Sequence, residues 1–228
     1  MHEDLTAGDM GSTEPRDEGP VASAPVWALP LIATIRPVAV VQRHVSRRWD
    51  SAAWVVFMIA GIGNAADNAV DKSLGDRIDP AFLALLIFGL GAAGGALSGL
   101  VMSGILRLAS RVLGGRASMA DLRGAMAWGM MPSLIASAST WPVLLGMLGF
   151  SYFRSDLELS PLQGGFFVLA GLLLITASIW SLVNTSRAVG FVNGYGGWKG
   201  FLTLAIPGIV VFALIMLVAL VVFLAASP

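Results

Sequence analysis

The side chains able to do chemistry in this chain are few, and their absence says as much as their placement. No cysteine is present, which excludes disulfides, thiolate nucleophiles, cysteine zinc sites and iron–sulfur ligation. The only histidines are His2 and His44, and both precede the long apolar part of the sequence. No imidazole cluster therefore stands ready there to hold a metal or act as a general base. Serines in the apolar runs have no histidine partner, and no run carries paired aspartates, so neither arrangement of an intramembrane protease is available. The stretch GYGGWKG at 194–200 has the glycines of a phosphate loop but follows an apolar helix rather than a strand. These exclusions predict a protein that is not an enzyme and uses no cofactor or metal.

Four polar groups enter the apolar runs: Asn64, Asp67, Asn184 and Arg187. A charge deep in a membrane span marks a path for ions or solutes, but all four fall near expected run ends, where water reaches them. They read as capped or snorkelling helix ends. The alternative they leave open is a small-solute or ion transporter or permease component. Net charge is zero and no basic domain exists, so nucleic acid is not an expected partner.

The elements that must position these groups are five apolar runs separated by charged hinges. Hydrophobic residues make up 56% of the chain and charged residues 12%. In lipid, every backbone N–H and C=O must be paired within its own segment, so runs of this length must be helices. The first span is expected from Asp50 to about Ala66, ending in Asn64 and Asp67. Asp79 and Pro80 give the second a carboxylate cap and a proline start, and it runs to about Leu106. The third follows Arg123 to about Phe150, with kinks or a partial break expected at Pro132 and Pro142. Ser160, Pro161 and Gln163 cap the fourth, to about Ala188, and the fifth occupies Phe201 to Ala226 with Pro207 near its start. The fold class is all-α: a polytopic membrane bundle of five transmembrane helices preceded by a short interfacial helix.

Ahead of the spans, residues 1–24 are acidic and rich in Gly and Pro, which predicts a disordered cytoplasmic tail. They lack the basic start and apolar core of a secretory signal, so insertion is expected to be directed by the spans themselves. Residues 25–49 predict a broken amphipathic helix on the membrane surface, and residues 50–228 form the transmembrane domain. Lys and Arg divide unevenly between alternate sides. Arg36, Arg43, Arg47, Arg48, Arg107, Arg111, Arg116, Arg123, Arg187 and Lys199 lie on one, and Lys72, Arg77 and Arg154 on the other. That asymmetry predicts a cytoplasmic N-terminus and an external C-terminus.

Gly91, Gly95, Gly99 and Ser103 recur every fourth residue and so share one stripe of the second span, where another helix can approach closely. Packing within the bundle is the first reading and a homo-oligomer contact the second. Arg43, Arg47, Arg48, Arg107 and Arg111 set topology first and could also gather anionic lipid head groups.

Five spans after a tail, the Arg36-Pro37 segment and the loop GGRASMADLRGAMAWGMMP together resemble the Yip domain family of Ypt/Rab-interacting membrane proteins. The residues that carry the likeness are Gly114, Gly115, Ser118, Asp121, Arg123, Ala127, Trp128 and Pro132, with Lys199 in the turn FVNGYGGWKGF before the last span. The resemblance implies a membrane-organising or trafficking adaptor whose partners are the lipid bilayer and other membrane proteins or further copies of itself. Arg far outnumbers Lys, and Ala and Gly are abundant. Such a composition suggests a bacterial member, in the cytoplasmic (inner) membrane.

Overall fold

The computed structural model describes Val21 and residues 23–226, so the acidic tail expected over residues 1–24 lies mostly outside the described residues. The chain forms α1 (Leu29–Ile35), α2 (Pro37–Arg47), α3 (Asp50–Asp71), α4 (Pro80–Leu85), α5 (Gly91–Val112), α6 (Met119–Gly129), α7 (Met131–Leu148), α8 (Pro161–Asn193) and α9 (Gly197–Ala226). A π-helical turn, Leu86–Leu90, joins α4 to α5. Five stretches are long and apolar enough to cross a membrane: α3, α4 through α5, α7 with the short 3-10 helix after it, α8, and α9. The protein is an integral membrane protein of the expected all-α class.

Local chemistry sets the helix starts. Asp79 Oδ1 accepts from the N–H groups of Ala81 (2.9 Å) and Phe82 (3.4 Å), with Pro80 in the first turn. Ser118 with Asp121 and Ser160 with Gln163 form full capping boxes for α6 and α8. Each box satisfies N–H groups that the first turn cannot pair by itself.

Span limits differ from the sequence reading in several places: α5 runs to Val112 rather than Leu106, α8 to Asn193 rather than Ala188, and α9 starts at Gly197 rather than Phe201. The limits of the first and third spans have a clear physical reason. The first span reaches Asp71 rather than Ala66, because Ala66 and Ala69 continue the buried face while Asn64 and Asp67 point away from it. At 22 residues it is about 33 Å long, enough to cross a ~30 Å hydrocarbon core. The third span begins at Met131, not just after Arg123. Pro132 has no N–H for the Trp128 carbonyl and its ring would collide there, so α6 ends at Gly129 and α7 restarts at Met131. Pro142, by contrast, sits inside a continuous α7. The segment before the spans breaks at Arg36 (φ −127°, ψ 61°), the residue ahead of Pro37. Its apolar face packs on protein: Leu29, Ala33, Val40 and Val41 are buried, with α1 against α7 and α2 against α6 and α8. Trp27, Leu31 and Ile35 remain exposed.

The centre of the bundle is α6, which is too short to be a span. Every residue from Leu122 to Gly129 is buried, the pattern of a helix enclosed on all sides. It packs against α2, α3, α5 and α8. A smaller apolar cluster of Ala66, Ala69, Leu83, Ile87 and Phe153 closes the other end.

Candidate functional site

The glycine stripe lies in the seam between α3 and α5. Gly91, Gly95, Gly99 and Ser103 are all buried. A Cβ at Gly95 would fall on the Phe57 carbonyl oxygen and 2.8 Å from Gly61 Cα; one at Gly91 would lie 2.9 Å from Ile62 Cα. One at Gly99 would meet the Phe57 ring at 2.6 Å. The partner residue on α3, Gly61, is enclosed as tightly by the backbone of Gly91 and Gly95. Its signal in the sequence was a glycine mid-span with no turn to explain it.

At one end of the bundle α2, α3 and α6 meet in a buried polar junction. Arg123, with a side chain 7% exposed, donates from Nε to Asp50 Oδ1 (2.9 Å) and from Nη2 to both Asp50 oxygens (2.7 and 2.6 Å). This fork is the strong form of an Arg–carboxylate pair. The Trp54 ring lies under the guanidinium at 4.4 Å, and its Nε1 donates to Asp50 Oδ2 at 3.2 Å. Asp50 is also the first residue of α3, where the helix dipole favours a negative charge. One carboxylate thus starts the first span and fastens it to α6.

Next to this pair, His44 is buried and accepts a hydrogen bond at Nδ1 from Trp128 Nε1, 3.1 Å. That bond requires an unprotonated Nδ1. Burial pushes the His44 pKa down; Asp50 and Asp121 pull it up and Arg123 lowers it further. A Cβ at Gly124 would collide with the imidazole, so the glycine makes room for the ring.

The loop after α5 is built from its two glycines. Gly114 adopts φ 82°, a conformation that other residues rarely hold, and ends α5 as a left-handed cap. Gly115 bonds from its N–H to Ser110 O at 2.7 Å, and a Cβ there would strike the Asn193 side chain. Asn193 Oδ1 in turn accepts from the Ala117 N–H at 3.2 Å, tying this loop to the end of α8. Gly-Gly, the Ser118–Asp121 box, Arg123 on Asp50, Trp128 on His44 and the break at Pro132 therefore form one continuous unit. Residues 18–220 match the Yip1 domain. The chain belongs to the Yip1 domain family. No curated protein and no solved structure matches it.

The remaining motif positions of this Yip1 domain divide by role. Pro37 is buried and lacks the N–H that would serve the Ala33 carbonyl. Asn184 Nδ2 supplies the missing donors, reaching Ala33 O (3.4 Å) and Thr34 O (2.9 Å), and Trp180 Nε1 also donates to Thr34 O (2.7 Å). Asn184 is thus a buried clip nine residues before the end of α8, not the water-reached span end that its polarity suggested. Arg36 and Lys199 are exposed. The turn before α9 uses Gly194 at φ 74°, and a Cβ at Gly200 would strike Ser186 O and come within 2.7 Å of Gly190 N, so α8 and α9 touch through backbone.

The basic residues do not form one cluster. Arg43 is spent internally, donating from Nη1 to Val21 O and Ala24 O (2.7 Å) with its guanidinium 5.1 Å from the Trp49 ring centre. Arg47 stacks on the same ring at 5.3 Å. Arg48 and Arg111 are exposed and Arg107 is half-buried. At the opposite end Asp76 accepts from the Ser155 N–H (3.3 Å) with Arg154 at 3.7 Å, and these contacts, the Ser155 hydrogen bond first, hold the Asp76 carboxyl below its usual range. Among the described residues no cluster of His, Asp and Glu has the makings of a metal site.

Proposed function

We propose that this Yip1-domain protein is a non-enzymatic adaptor of the bacterial cytoplasmic membrane, organising partners through the face that carries Arg36, Arg48, Arg111, Arg116 and Lys199. The N-terminus and the loops at 113–118 and 194–196 lie in the cytoplasm, and the C-terminus lies outside, as the Lys and Arg asymmetry favours. The observation that carries the reading is that most buried polar groups are consumed by one another: Arg123 by Asp50 and Trp54, His44 by Trp128, Asn184 by the α1 carbonyls, and Asn193 by Ala117. Arg43 Nε is the one buried side-chain nitrogen or oxygen left without a hydrogen bond among the described residues. Groups so paired stiffen a scaffold and are not left over to receive a substrate. The exposed cations then remain for protein or lipid contacts.

The test is in-membrane crosslinking from Arg48 and Arg111 positions, combined with solute-flux measurements on the purified protein in vesicles. A reproducible protein or self-contact without flux supports the adaptor reading. Solute movement without any reproducible contact would establish the transporter instead. Reporter fusions after Gly115 and Gly196 should read cytoplasm, and a fusion at Asp76 should read the other side; a reversed pattern overturns the orientation.

A further inference from the structure

A cavity of about 690 Å³ opens between α3, the α4 π-helical turn and α7, well away from the paired junction of α2, α3 and α6. Its walls are mostly apolar: Ile59, Ile87, Phe88, Leu134, Trp141 and Phe153 define its shape. That volume lies within the roughly 300–1,000 Å³ of small-ligand pockets. Along α3 the lining runs from Ile59 to Asp67, about 12 Å at ~1.5 Å per residue. This is close to half of a ~30 Å hydrocarbon core, the depth of one leaflet and not of a path through the bilayer.

Two further features single the cavity out. The π-helical turn Leu86–Leu90 inserts an extra residue into the wall and places Ile87 and Phe88 on the lining; such turns concentrate at functional sites. Near the end of α3 lies Asp67, which among the described residues is the only charged group lining the space. Trp141 lines the same space, and Asn64 sits one turn below on the α3 wall. No Arg or Lys lines the cavity to neutralise that charge. An apolar slot one leaflet deep, with a single carboxylate near its mouth, complements one kind of molecule.

We infer that this cavity binds an amphiphile with a single alkyl or acyl chain in the slot and a protonated primary amine against Asp67. The chain replaces lipid contacts with the Ile59, Leu134 and Phe88 walls, while the ammonium supplies the positive charge the lining lacks. A carboxylate-headed or phosphate-only amphiphile of the same length would place like charges together and is disfavoured. The site is independent of the adaptor reading, since it shares no residue with the basic face.

The experiment uses the full chain purified in nanodiscs and three photoactivatable probes of one chain length: hexadecylamine, hexadecanol and palmitate. The amine is expected to label peptides of α7 and the π-helical turn at roughly tenfold lower concentration than the other two, the scale of one charge-assisted contact. Asp67→Asn should erase that preference while keeping chain labelling. Gly63 lines the slot and a Cβ there would have nothing within 4 Å, so Gly63→Leu should fold and reduce labelling by all three. Competition by phosphatidylethanolamine identifies a bilayer lipid as the source and competition by free amine alone a non-lipid amphiphile; either supports the site. Equal labelling by the three probes in the parent protein, or amine labelling unaffected by Gly63→Leu, overturns it.

Discussion

Gly95→Ala is the smallest change that interrogates the seam between the first two spans. The new methyl would fall on the Phe57 carbonyl oxygen and lie 2.8 Å from Gly61 Cα and 3.0 Å from Gly61 N, all backbone atoms with no rotamer to yield. Ordinary contact begins near 3.4 Å, so α3 and α5 must part by at least half an ångström. A radial gap of about 0.5–1 Å forfeits a quarter to a half of the dispersion well at every contact along the seam, and overpacking of this kind costs about 1–3 kcal/mol. In lipid no hydrophobic force compensates, because close packing is what holds helices together. Gly94, the next residue on the same helix, has nothing within 4 Å of its Cβ, so Gly94→Ala makes the same gain in helix propensity without the clash. Unfolding of both variants, measured by reversible denaturation in mixed micelles, should place Gly95→Ala about 2 kcal/mol or more below Gly94→Ala. Gly95→Leu should accumulate poorly, whereas Leu at the half-buried Ala96 should be milder. Equal stability of Gly94→Ala and Gly95→Ala would mean the helices are not in backbone contact, and the seam argument fails.

Breaking the Arg123–Asp50 pair by Asp50→Ala should cost about 3 kcal/mol in the same assay, because it strands the buried Arg123 guanidinium without its carboxylate. The double variant Arg123→Leu with Asp50→Leu should be less harmful than the sum of the singles, and strict additivity would argue against a direct pair. For His44 the folded protein holds the imidazole neutral, with its pKa below the unfolded value of about 6.5. Its contribution is therefore intact above pH ~6.5 and is lost as pH falls toward the folded pKa. Thermal midpoints should drop across that window in the parent protein and less so in His44→Gln, even though Asp50 and Asp121 partly oppose the shift; identical slopes would refute it. Gly115→Ala should destabilise by about 1–2 kcal/mol through its clash with Asn193, and combined with Asn193→Ala the two costs should be less than additive.

The number of spans was legible in the sequence because apolar length in lipid leaves one structural solution, and the cap residues Asp79, Ser118 and Ser160 act on their own first turns. What stayed hidden depends on partners distant in the chain. Asp50 read as the edge of a span and Arg123 as a loop cation, since nothing local says that residues 73 apart share a fork of hydrogen bonds. Gly61 had no repeat to mark it, although Gly91 and Gly95 can approach a backbone only if α3 also lacks a Cβ there. Polar residues misled in both directions: Asn64 and Asp67 suggested an early helix end where they line a cavity, and Asn184 suggested water where it satisfies carbonyls orphaned by Pro37, 147 positions earlier in the chain. Reading polarity in a membrane helix as a sign of solvent failed at Asn184, which is buried against a partner, whereas Asn64 and Asp67 are exposed on the last turns of α3. Asp67, four residues before the end of α3, is the charge that lines the apolar cavity, and a charge among apolar walls in a span is where a functional site is expected first.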